Sequence, residues 1–147
     1  MASDIFTYTG TGTHKFDFWE INGNRDWAVI PAGTMVNFDE DLPIRLQVGH
    51  RGFGQIHIEH RHGHWLKKIK KSLQEALSFK LSQPGTIYTT EENNKIKIMM
   101  RVNPDSLLVL RYTENKAGNF LTVVSLYFKN ERVDGENIGR YISSFKS

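Results

Sequence analysis

Two hydrophobic periods meet near Pro84. From Trp65 to Leu81 the apolar residues Trp65, Ile69, Leu73, Ala76, Leu77 and Leu81 recur at three- and four-residue steps. That spacing predicts one amphipathic helix over 65–81, with the lysines largely off its apolar stripe. Gln83-Pro84-Gly85 ends it. Beyond, the stretches 86–90, 95–102, 106–113 and 119–128 are rich in Ile, Val, Leu, Thr and Tyr, as strands are. The gaps are turn-like: Glu91-Glu92-Asn93-Asn94, Asn103-Pro104-Asp105, and Glu114 to Gly118. Connections this short predict an antiparallel meander.

Before residue 50 the pattern is choppier. Short apolar pieces at Phe16 to Trp19, Trp27 to Ile30 and Ile44 to Val48 are punctuated by Gly23, Pro31, Gly33 and Pro43, and read as short strands and turns. Residues 51–62 read as a short helix ending at Gly63, since glycine is favoured just past a helix end. In the tail, Ile138, Tyr141, Ile142 and Phe145 suggest a short helix or a last strand. The expectation is a single α+β domain over 1–147. It has an unassigned irregular or β segment at 1–49, then a core at 50–128 in which central helices pack on a C-terminal antiparallel sheet of about four strands, then a tail at 129–147.

Composition narrows the classes. A chain of 147 residues with 39% hydrophobic and 24% charged residues can bury one core and is not of disordered type. No apolar run approaches the roughly 20 residues of a membrane span, so no membrane partner is expected. With no cysteine, any metal would need His, Asp or Glu ligands. MASDIFTYTGTG lacks the basic-then-apolar layout of a secretory signal, so the expected location is the cytoplasm, or a target cell reached without such a signal. A net charge of +3 fits an anionic partner but also fits many unrelated domains.

The chemistry concentrates at 50–71, HRGFGQIHIEHRHGHWLKKIKK. Five of the six histidines lie here, His50, His57, His60, His62 and His64, followed by Lys67, Lys68, Lys70 and Lys71. Histidine can exchange a proton near neutral pH, and lysine attracts phosphate. Three readings stand together. In a strand His60, His62 and His64 share a face, and in a helix His57, His60 and His64 do, so a metal-binding hydrolase is one reading. No HExxH is present, and Glu59 sits at the wrong offset. Acid–base catalysis needs only two groups: a base for the RNA 2′-OH and an acid for the leaving 5′ oxygen, with a cation or donor on the phosphorane. The third reading is a solvated basic face, or a non-catalytic module docking on nucleic acid or an acidic protein. Tyr88 and Tyr112 could stack on bases or simply belong to the core.

The run GFGQIHIEHRHG, an amphipathic helix, then PGTIYTT, KIKIMMRV, SLLVLRYT and FLTVVSLYF resembles the phage-encoded members of the barnase/EndoU/colicin/RelE-like nuclease superfamily. The resemblance spans about residues 50–128. It rests on His57-Ile58-Glu59-His60 and on the order of elements. It implies a metal-independent endoribonuclease without cofactors, often a toxin, with RNA as substrate and an acidic immunity protein or antitoxin as partner. His57 and His60 match the histidine signature and would exchange protons, although His62 or His64 could displace either. Basic and hydroxyl residues on the sheet are implied as well, with Arg101, Arg111, Thr122, Ser125 and Tyr127 as candidates. Thr122 and Ser125 face opposite sides of an unbulged strand, so Ser125 and Tyr127 are favoured, together with Arg111. Lys67, Lys68 and Lys71 would bind RNA.

Overall fold

The computed structural model describes residues 4–92, 95–102, 106–129, 133 and 135–142. Its elements run β1 (Phe6–Tyr8), β2 (Phe18–Ile21), β3 (Ala28–Ile30), β4 (Leu42–Gln47), α1 (Gly54–Ile69), α2 (Leu73–Leu81), β5 (Gly85–Glu92), β6 (Lys95–Val102), β7 (Ser106–Thr113), β8 (Phe120–Phe128) and β9 (Glu136–Tyr141). The architecture is α+β, as expected, but the sheet is larger than expected. Its order is β1-β2-β4-β8-β7-β6-β5-β9, with β3 also on β4, so nine strands join among the described residues rather than about four.

The C-terminal strands form where the alternating pattern puts them. β5–β6, β6–β7 and β7–β8 pair antiparallel, and β9 adds to the free edge of β5. What the pattern could not supply is β4. It lies parallel beside β8, pairing Ile44 with Leu121 and Arg45 with Thr122. Residues 1–49 thus contribute four strands to the same sheet. The sheet also bends round. Met35, just after β3, bridges Gly139 of β9, and the Val36 N–H donates to the Ile138 carbonyl at 2.8 Å. Glu91 and Glu92, expected in a turn, continue β5, and residues 93–94, 103–105 and Phe145 lie outside the described residues.

One face of the sheet carries the main core. Leu42, Ile44, Leu46, Ile87, Ile98, Met100, Leu108, Leu110, Leu121, Val123, Leu126 and Tyr141 pack there on Ile58 and Leu66 of α1 and on Leu73, Ala76, Leu77 and Leu81 of α2. Side chains this fully removed from water each contribute about 1.5–3 kcal/mol. The opposite face holds a smaller cluster, Met99, Leu107, Val109 and Val133, with Tyr88, Val124 and Tyr127 at its border. No helix among the described residues is long and apolar enough to cross a membrane.

The helical region corrects two expectations. Gly63 does not end the first helix. The chain kinks at His62 (φ −125°, ψ 19°) and continues to Ile69. The break falls inside the predicted 65–81 helix instead. Lys70 turns left-handed (φ 57°), and Ser72 starts α2 with a capping box. The Glu75 N–H donates to Ser72 Oγ and the Ser72 N–H to Glu75 Oε1, both at 3.1 Å. These bonds satisfy amide donors that a helix start leaves open. The apolar stripe runs through the break because both helices face one core.

Candidate active site

The turn from β4 into α1 is built around close backbone approach. At Gly49 (φ +74°) an added Cβ would meet the Phe53 carbonyl oxygen at 2.0 Å, and at Gly54 (φ +79°) it would meet the Gln47 oxygen at 2.7 Å. Only glycine fits both the space and the left-handed backbone. Within this turn the Gly52 N–H donates to His50 Nδ1 at 2.8 Å, and the His50 ring meets Phe53 edge-on at 4.8 Å. The turn presents the Arg51 carbonyl to His57, whose Nδ1–H donates to it at 2.6 Å. A carbonyl only accepts, so the proton sits on Nδ1 and Nε2 is the nitrogen left to exchange a proton.

α1 turns Ile58 and Leu66 into the core, while His57, Arg61 and His62 line a cleft of about 600 Å³ against the sheet. His57 and Arg61 share a side because they are four residues apart. His62 belongs there only because of the kink, since positions five apart on a regular helix point about 140° away from each other. The rings of His57 and His62 lie 6.2 Å apart and nearly perpendicular, and His62 stacks on Tyr127 at 4.8 Å and 20°. Burial holds the His62 pKa below its ordinary value, and the nearby His57 and Arg61 charges lower it further.

The sheet supplies the rest of the lining: Ile96, Lys97, Val109, Leu110, Arg111, Val124, Ser125 and Tyr127. Lys97 and Arg111 are register partners on β6 and β7. Among the described lining residues Arg61, Lys97 and Arg111 are cationic and none is acidic. Ser125 is 5% exposed, and its hydroxyl has no hydrogen-bond partner. A buried orphan hydroxyl at the wall of a cationic cleft is a polar group whose hydrogen-bonding capacity the fold leaves unused.

The cleft thus brings His57, Arg111, Ser125 and Tyr127 together from distant parts of the sequence. It does not include His60, which is exposed, and His62 lies in its place. His64 is exposed as well. Lys67, Lys68 and Lys71 are exposed and outside the cleft, and the first two sit in the last turn of α1, where they complement the helix dipole. Thr122 and Ser125 do share a face, contrary to the alternation. β8 is bulged: Ser125 pairs with Val109 and Val123 with Leu110, so Val124 is an inserted residue. Thr122 is nonetheless occupied, donating its hydroxyl to Gln47 Oε1 at 2.7 Å. Arg101 lies on β6 outside the cleft lining.

Arg61 and Lys97 were missed by sequence reasoning. Their signals were local: one is four residues from His57, and the other pairs with Arg111 across a short hairpin. Among the described residues, no three His, Asp or Glu side chains group as a metal site would need. No protein-family model, curated protein or solved structure matches this chain.

Proposed function

We propose that this protein is an endoribonuclease that cleaves RNA through its own 2′-OH by histidine acid–base catalysis without a metal. The observation that supports this best is the meeting of His57 and His62 beside Arg111 and the unpartnered Ser125 hydroxyl in one cleft whose described lining holds no acid. His62, with its depressed pKa, is neutral at neutral pH and takes the 2′-OH proton. The 2′ oxygen attacks phosphorus. His57, as imidazolium with Nδ1–H on the Arg51 carbonyl, gives its Nε2 proton to the departing 5′ oxygen. The products are a 2′,3′-cyclic phosphate and a 5′-OH.

Arg111, Lys97 and Arg61 line the cleft where the phosphorane's charge would develop, and Ser125 offers it a hydroxyl. Tyr127 holds the His62 ring by stacking. In this reading Lys67, Lys68 and Lys71 attract RNA from outside the cleft rather than contact the scissile phosphate. The reading is the one implied by the sequence's resemblance to the barnase/EndoU/colicin/RelE-like nucleases. A toxin of that kind would act in the cytoplasm, its own or that of a target cell, and be restrained by an acidic immunity protein or antitoxin.

The test is cleavage of a short RNA in excess chelator. Cyclic-phosphate ends are expected, with no cleavage when the scissile residue is 2′-deoxy. Cleavage of the deoxy substrate, or activity that returns only with added zinc or manganese, would refute the mechanism. Salt-sensitive RNA binding without cleavage would make the protein a binding module instead.

A further inference from the structure

A second cavity, of about 420 Å³, adjoins the cleft. It is lined by Phe16, Gln47, Phe53, Ile96, Arg111, Tyr112, Thr113, Glu114 and Thr122. Arg111 and Ile96 line both cavities, so the two are neighbours on either side of that pair. Their chemistry differs. The cleft presents cations and histidines, whereas the second cavity has three aromatic rings and Arg111 as its one described cation.

Its aromatic residues are not equivalent. Phe53 is buried, with the Arg111 guanidinium 5.9 Å from its ring. Tyr112 is held in place, its hydroxyl donating to Glu40 at 2.7 Å and accepting from Asn119 Nδ2 at 2.8 Å. Phe16 is 55% exposed, in the loop before β2. Its ring meets only that of His14, tilted at 5.7 Å, among the described aromatic pairs, and a large aromatic more than half in water adds little to the core while offering a π-face to a flat ligand. The Lys15 ammonium lies 5.0 Å from that ring and adds charge at the same rim. Polar edges are also present: the Gln47 amide, which binds Thr122, together with Thr113 and Glu114.

We infer that this aromatic slot is a nucleobase subsite, which seats an unpaired base against Phe16 while Arg111 holds the attached phosphate in the adjoining cleft. The inference rests on the ribonuclease reading of that cleft and deepens it: the substrate is single-stranded RNA, because a base must leave its helix to enter the slot. Stacking on an aromatic side chain tolerates every base, so the slot adds affinity more than sequence choice.

The test is titration calorimetry of the whole protein with three probes: inorganic phosphate, ribose 5-phosphate and adenosine 3′-monophosphate. Adenosine 3′-monophosphate is expected to bind about tenfold or more tightly than ribose 5-phosphate, the scale of one base–aromatic stack. Phe16→Ala should abolish that ratio and leave phosphate affinity unchanged, and Phe16→Tyr should restore it. Circular dichroism checks that the variants fold, which an exposed side chain should permit. If phosphate binds but the base adds nothing, or if Phe16→Ala keeps the ratio, the subsite is refuted while the anionic cleft stands. If none of the three probes binds, the reading of the cleft fails and the subsite with it.

Discussion

Replacing Ser125 by alanine should make this protein more stable and less able to hold phosphate. The Ser125 hydroxyl is buried and lacks a partner, and so does that of Ser106, which is 0% exposed and lies outside the cleft. An unsatisfied buried hydroxyl costs about 1–3 kcal/mol in desolvation. Deletion also forfeits the dispersion contacts of one oxygen, so the net gain should be about 1 kcal/mol. For a chain of this size that raises Tm by about 2–4 °C. Ser106→Ala should gain as much. The two variants then part when phosphate is added. Ligand at a hundred times Kd stabilises the parent by about 2.7 kcal/mol. Losing one hydrogen bond to a charged ligand weakens binding about tenfold, which removes about 1.4 kcal/mol of that shift. Thermal melts with and without phosphate should therefore show the shift roughly halved in Ser125→Ala and intact in Ser106→Ala. The reasoning is refuted if Ser125→Ala melts below the parent, or if its phosphate shift equals the parent's.

Four further outcomes are expected. In a single-turnover assay on RNA, His57→Ala and His62→Ala should each slow cleavage about a hundredfold or more, while His60→Ala should stay near the parent rate. Because the folded pKa of His62 is depressed, its contribution to stability is present above the unfolded value of about 6.5 and is lost as pH falls below it. His62→Asn should flatten that part of the melting-temperature profile, and the acidic limb of kcat/KM should lie below the ordinary histidine value. Arg111→Ala should weaken RNA binding and reduce its salt slope by about one phosphate, and Lys67→Ala should do less, as fluorescence anisotropy across a salt series would report. Ser72→Ala removes the side-chain half of the α2 capping box and should cost about 1 kcal/mol by urea melt.

What the sequence determined by itself was local. The alternation in 95–102 and 106–113 gave strands with those same bounds, and 119–128 gave β8 within one residue, because side-chain period and turn residues act between near neighbours. Gly63 read as a helix end and is not one, and the Ser72–Glu75 box, which went unread, marks the break that the stripe from Trp65 to Leu81 hides, since two helices facing one core keep a single apolar period across their junction. The sequence also marked out the histidine stretch, whereas Arg111, Ser125 and Tyr127, which line the cleft with His57, were candidates only through the family resemblance, beside Arg101 and Thr122. The tertiary structure decided the rest. The parallel seat of β4 beside β8 joins residues far apart in the chain and leaves no periodic trace. Which histidine accompanies His57 depends on a backbone kink of one residue. Whether Thr122 and Ser125 share a face depends on the single inserted residue Val124, because one extra residue in a strand reverses every side chain beyond it.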